Sequence, residues 1–174
     1  MIEVQHAVGL TGLCAPVAAS CGIGRLLMAS CERDHYGLPG GSHPDIVNAV
    51  RWAGVEVRLD GADRTRQEKL RAIAAALGDA DDSLDLRPCL RPAPGFENCG
   101  ACEKCLQTIL GLVGERCDPR RFGFKTDLSS ALSTLRGQVL AHRLPMPDPG
   151  ELLQWQDIPR AILVRREEPL GIGL

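Results

Sequence analysis

Cys89, Cys99, Cys102 and Cys105 stand in the segment RPCLRPAPGFENCGACEKC with the spacing C-x9-C-x2-C-x2-C. The triplet places three thiols within seven residues, and a fourth arrives from one loop upstream. Four converging thiolates make a closed tetrahedral site, which suits a structural Zn2+ and leaves no open coordination position for catalysis. Gly100 follows the first cysteine of the triplet, where a metal-binding turn calls for a residue that tolerates positive φ. Cysteine also serves as a small buried hydrophobe, but this clustering argues for a metal. A bacterial ferredoxin run has a further cysteine and then proline after the triplet, where this chain has Ile109 and Leu110. Cys14, Cys21, Cys31 and Cys117 lack ligand spacing and are expected to be free thiols.

A second constellation is Gly41-Ser42-His43-Pro44-Asp45, between a predicted strand and a predicted helix. Ligands of parallel α/β sheets bind at the carboxyl ends of strands, and helix-start amides favour anions. Ser42 and His43 are therefore candidate ligand contacts; the bland alternative has Ser42 capping the helix and His43 on the surface. Asp60-Gly61 ends a second strand at the same predicted edge, and Thr65, Arg66 and Lys69 follow it. Arg66 and Lys69 share a helix face and can address an anion, or else form a solvated charged face with Glu68. Gly40-Gly41-Ser42 is not a phosphate loop, since neither G-x-x-x-x-G-K-[ST] nor a strand-linked G-x-G-x-x-G occurs. His6, His35 and His142 have no partner at ligand spacing, and no Ser/His/Asp or Cys/His set can be assembled.

The elements that must position these groups alternate. Residues 5–20 can form a helix, with Pro16 awkward inside it. Arg25 to Ser30 reads as a buried strand, and 31–43 as a loop rich in turn formers. Asp45 to Ala53 reads as a helix stopped by Gly54, with Ile46, Val47 and Val50 on one face. Val55 to Leu59 alternates like a strand. The clearest helix spans 63–77, capped by Asp63 or Thr65, with Leu70, Ile73, Ala74 and Leu77 on one side and Gly78 at its end. Residues 79–85 are acidic and expected in a surface loop, and Leu86 to Leu90 is a candidate third strand leading into Cys89. The cysteine triplet opens a helix whose Leu106, Ile109, Leu110 and Val113 share a face. A further amphipathic helix carries Leu128, Leu132, Leu135 and Val139. Pro145, Pro147 and Pro149 form a stiff linker, and Ile158 to Val164 is a short helix or strand.

Strand, helix, strand, helix, strand is the pattern of an α/β fold with a largely parallel sheet. The expected architecture is a partial, doubly wound α/β domain over residues 1–117, including the cysteine element at 89–105. A helical and Pro-rich extension over 118–174 follows it.

In this order the residues resemble a known family. GSHP (Gly41 to Pro44), a strand ending in Asp60-Gly61, Thr65-Arg66 with Lys69, and NCG-x-CEKC (Asn98 to Cys105) are similar to the C-terminal half of PP-loop ATP pyrophosphatases related to 7-cyano-7-deazaguanine synthase. They are closer still to the subgroup that includes the epimerase acting on UDP-N-acetylmuramoyl-L-alanyl-L-glutamate. The resemblance runs from His6 to Cys105, and NCG-x-CEKC is its most specific part. It implies a doubly wound α/β sheet, a structural zinc, and cleavage of ATP with Mg2+ to AMP and pyrophosphate, which adenylates a carboxyl or carbonyl oxygen. The SGGxDS-type pyrophosphate loop of those enzymes occurs nowhere in this sequence. The resemblance therefore implies the zinc-stabilised substrate-binding half, with a partner chain or an oligomer completing it. A non-catalytic zinc-binding module is the alternative, and an iron–sulfur protein a third.

Composition narrows the classes. Hydrophobic residues make up 44% and charged residues 24%, ordinary for a globular chain, and aromatics only 3%, so the core rests on Leu, Val, Ile and Ala. A net charge of −2 argues against a general nucleic-acid surface. The apolar start, MIEVQHAVGLTGLCAPVAASCG, lacks a basic flank and is broken by Gly, Cys and Pro, so it reads as a buried element rather than an export signal. The thiols are accordingly expected to be reduced and cytoplasmic.

Overall fold

The structure is a computed structural model, and it describes residues 2–30, 37, 41–77, 83–89, 91, 95, 97–141 and 149–167. Cys31, His35, Gly78, Leu90, His142, Pro145, Pro147 and the acidic residues 79–82 fall outside these. The chain divides into two compact units, Met1–Arg66 and Gln67–Leu174. The division precedes the cysteine element rather than following residue 117.

The first unit begins with helix α1 (Ile2–Ser20), which continues through Pro16. Its inward stripe is small: Ala7, Thr11, Ala15 and Ala18 are buried, while Leu10, Leu13 and Val17 face out. Small residues let the helix approach the sheet closely; the Trp52 ring packs against Gly12, and Trp52 Nε1 donates to Thr11 Oγ1 at 3.2 Å. Strand β1 (Arg25–Ala29) follows. Next come a single helical turn, α2 (Pro44–Val47), and the hairpin of β2 (Arg51–Trp52) with β3 (Val55–Asp60). The sheet order is β1-β3-β2, with β1 parallel and β2 antiparallel to β3. One core holds Ala7 of α1, Val47 of α2 and Val57 of β3, flanked by Leu26, Met28, Val50, Trp52 and Leu59.

Three sequence expectations are corrected here. The helix expected over Asp45 to Ala53 stops after one turn, because the chain reverses into β2. Asn48 uses its side chain to accept from Leu59 N at 2.9 Å, a competitor to helix continuation. Gly54 is not a helix stop but half of a two-residue hairpin turn, in which Ala53 (φ 46) and Gly54 (φ 83) both take positive φ. The strand expected to be buried, Arg25 to Ser30, alternates instead. Leu26 and Met28 face the core, and Leu27 is 70% exposed.

The doubly wound architecture is corrected with it. Among the described residues the sheet has three strands, and within this unit the helices cover one face. Its other face carries Arg25, Leu27 and Ala29 beside Glu56, Arg58 and Asp60. Glu56 receives Arg58 at 2.7 Å, Arg25 at 3.0 Å and Arg51 at 3.7 Å. Arg25, which contributes most, and Arg58 hold its carboxyl below the usual range.

The second unit is built around helix α4 (Glu103–Gly114), introduced by α3 (Arg66–Leu77). A helix buried nearly all round belongs at the centre of a core, and Cys105, Leu106, Ile109 and Leu112 have no exposed surface. Gly111 lets α3 cross closely: a side chain there would meet Leu70 at 2.6 Å and Gln67 at 2.9 Å. Glu115, just past α4, is fully buried. It accepts from Gln67 Nε2 at 2.8 Å and from Arg71 Nε at 3.1 Å.

A 3-10 turn (Pro119–Phe122), α5 (Leu128–Leu140) and α6 (Pro149–Glu167) complete this unit. Phe122, Phe124 and Ala131 join the same core as Leu70 and Ile109, so the residues beyond 117 build the cysteine element rather than extend from it. The face expected for α5 is rotated. Ala131 is buried, with Leu135 packed beside it, whereas Leu132 and Val139 are about half exposed. Residues 83–89 are not a strand, although Leu84 N and Leu86 N donate to the carbonyls of Arg121 and Phe122. Among the described residues no helix is long and apolar enough to cross a membrane.

Candidate metal centre

Each thiol of the cluster is placed by a different piece of backbone. Cys89 lies in the run 83–89, Cys99 opens the turn through Gly100, Cys102 directly precedes α4 without a side-chain capping bond, and Cys105 lies in the first turn of that helix. The four sulfurs all lie within 4.8 Å of one another. Cys89 and Cys102 are 3.9 Å apart, as are Cys99 and Cys105. With Zn–S bonds of about 2.3 Å the edge of a regular tetrahedron is about 3.8 Å, so the spacing fits a single ion bound by four thiolates. In a [4Fe–4S] cluster each of the four thiolates serves its own iron, so the sulfurs stand further apart than around one ion.

The surroundings favour deprotonation unevenly. Cys102 N donates to Cys99 Sγ at 3.2 Å, Arg91 N to Cys89 Sγ at 3.4 Å, and Cys99 N to Cys89 Sγ at 3.5 Å. Burial pushes the Cys99 thiol up, but the backbone amides of Ala101 and Cys102, together with hydrogen bonds from the Cys89 and Cys102 side chains, bring it down to about 7. Burial pushes the Cys105 thiol up strongly, and the neighbouring Cys102 adds to it. A cation at the centre would remove that difference, since a coordinated thiol gives up its proton outright. The amino end of α4 lends its positive dipole to Cys102 and Cys105.

The turn is held from outside the motif. Gly100 has φ 67, as its place after Cys99 predicts, and a side chain there would run into Thr126. Asn98 is buried and donates to the carbonyls of Leu86 at 2.7 Å and Gly123 at 3.2 Å, tying the triplet to the run that carries Cys89. Gln138 on α5 donates to the Ala101 carbonyl at 2.7 Å. Asn98 was legible as the residue before the triplet; Thr126 and Gln138 carry no local signal, because their role exists only once α5 is docked.

The remaining candidates do not join this cluster. His43, not Ser42, caps α2: its Nδ1 accepts from Asp45 N at 3.3 Å. Ser42 is half-buried in the preceding turn. Asp60 ends β3 and is exposed, and its carbonyl accepts from Ser30 N at 2.8 Å. Asn48, just beyond α2, bonds the backbone of Leu59, so the α2 turn lies beside the carboxyl half of β3. Thr65 directly precedes α3, Arg66 is its first residue, and Lys69 lies one turn on. Of the other cysteines, Cys14 and Cys21 are exposed free thiols and Cys117 is half-buried.

The chain matches no family model, no curated protein and no solved structure. The four-cysteine cluster, able to hold a metal ion, is thus the functional feature that the structure itself supplies.

Proposed function

We propose that the ion is Zn2+, held structurally, and that the chain provides the substrate-binding half of an adenylating ATP pyrophosphatase-like enzyme. The observation that carries the metal reading is the single-ion spacing of four sulfurs in a set with no oxygen or nitrogen donor. The enzymatic reading is supported by the ordered GSHP, Asp60-Gly61, Thr65-Arg66 with Lys69, and NCG-x-CEKC elements. Ser42, His43, Asp60, Thr65, Arg66 and Lys69 then contact an anionic substrate or nucleotide, with the guanidinium of Arg66 suited to bidentate binding. ATP with Mg2+ requires a pyrophosphate loop from another polypeptide segment, since these residues include no SGGxDS sequence.

The test combines metal analysis with calorimetry of ATP–Mg2+ on the purified chain, then an assay for AMP in mixtures with an SGGxDS-bearing partner. One zinc per chain and AMP formation that Arg66→Ala abolishes are expected. Zinc without AMP in every mixture overturns the enzymatic reading. The second reading, a non-catalytic zinc module, is favoured by one observation: the His43 ring is engaged as a helix cap rather than presented to a ligand. A brown preparation absorbing near roughly 400 nm would replace zinc with an iron–sulfur centre.

A further inference from the structure

β1 is the last strand of its sheet, and among the described residues nothing pairs with its outer edge. Glu56 N donates to the Gly24 carbonyl at 2.9 Å and Ser30 N donates to the Asp60 carbonyl at 2.8 Å. Backbone groups alternate sides along a strand. Residues 24, 26, 28 and 30 therefore turn toward β3, and Arg25, Leu27 and Ala29 turn their N–H and C=O groups outward. The same three side chains lie on the uncovered face. This edge has no proline and no bulge, and its central residue is a leucine with 70% of its surface exposed. Edges that avoid pairing are usually protected by such devices or by charged side chains, and here the one charge, Arg25, stands at the end of the strand.

We propose that a second copy of this chain pairs with this edge, β1 against β1 in antiparallel register about a twofold axis at Leu27. The register is self-complementary. Leu27 then faces Leu27 of the other copy, Leu26 faces Met28, and Arg25 faces Ala29. The outward backbone groups of Arg25, Leu27 and Ala29 all find partners, and no like charges stand opposite one another. Charge favours the same register. Ala29 is paired with Asp60 inside each copy, so the row across the interface reads Glu56, Arg25, then Ala29 and Asp60 of the second copy. Two strand spacings, about 10 Å between Cα atoms, separate Arg25 from that Asp60. The small Ala29 between them leaves the guanidinium a clear path to the carboxylate. The product is a continuous six-stranded sheet, a closed isologous dimer.

Sedimentation equilibrium of the full zinc-loaded chain over a concentration series, with hydrogen exchange on the same samples, tests this. A monomer–dimer equilibrium is expected, with slower exchange at the Leu27 and Ala29 amides as concentration rises. Leu27→Lys sets like charges opposite each other and should weaken association at least about tenfold. Leu27→Val should preserve it. A chain that stays monomeric, at a mass of 18.7 kDa, overturns the proposal and leaves the edge for a strand of another polypeptide. A dimer with unslowed Leu27 exchange, or one that survives Leu27→Lys, overturns it equally. Exchange on the unsubstituted chain decides the matter even if Leu27→Lys fails to fold.

Discussion

Thr126 stands where the first side-chain atom of any residue replacing Gly100 would lie. The contact joins the metal turn to the segment that leads into α5, and Gly100 also holds φ 67. Two separate costs therefore attach to one substitution. Gly100→Ala incurs about 1–2 kcal/mol for the left-handed conformation, plus the collision. Zinc affinity by competition titration should fall at least about tenfold. Thr126→Gly in the same chain should recover the part due to collision and leave the part due to φ. Full recovery, or none, would contradict this division.

Removing the metal should act on one unit. The cysteines pack against the core of Leu70, Leu106, Ile109 and Phe122, so metal-binding energy is folding energy there. Each unit has its own tryptophan, Trp52 in the first and Trp155 in the second. Chelation, or Cys99→Ser, should lower the melting temperature of the second unit by about 10 °C or more, the equivalent of about 2 kcal/mol at that size. On heating the metal-free chain, emission from Trp155 should shift to the red at the lowered temperature, before that of Trp52, which is bonded to Thr11. Trp52→Phe and Trp155→Phe variants separate the two signals.

In the metal-free chain the thiols should react in a fixed order. Cys99, brought to about 7, is partly thiolate at neutral pH, whereas Cys105 is pushed up and fully buried. Iodoacetamide followed by peptide mass spectrometry should label Cys99 first, with its rate falling through pH about 7 as acid is added. The linked stability signs are opposite. The Cys99 contribution is complete above about pH 9 and is lost as pH falls toward 7. The Cys105 contribution is complete below its unfolded value and is lost as pH rises beyond it. Zinc should slow both reactions and remove the order.

Arg71 and Glu115 supply a measure of the helix packing. The carboxylate is wholly buried and Arg71 is 44% exposed. Arg71→Ala leaves Gln67 still donating to the charge. Denaturant unfolding should show a loss of about 3 kcal/mol, the low end for breaking a buried pair, because solvent already screens the arginine. Arg71→Ala with Glu115→Gln should recover part of that loss.

The local features of this chain were legible without its structure. Four cysteines at C-x9-C-x2-C-x2-C fix a thiolate site wherever the loop closes, and Gly100 is needed there for a conformational reason that acts within one residue. The apolar spacing of Leu106, Ile109 and Leu110 fixes a helix, although not its burial on nearly all sides, Leu112 included. Thr65 ahead of α3 and the alternation of Val55 to Leu59 belong to the same class, in which neighbours along the chain decide. What only the tertiary structure decided depends on partners distant in sequence. Asn48 leaves its helix because Leu59 offers it a backbone amide. α1 turns alanines inward and leucines outward because the sheet beneath it, with Trp52 at Gly12, needs close approach more than bulk. α5 presents Ala131 and Leu135 rather than Leu132 and Val139, with its Gln138 bonded to the cysteine turn. Periodicity states that a face is apolar; only the shape of what it meets determines which residues that face contains.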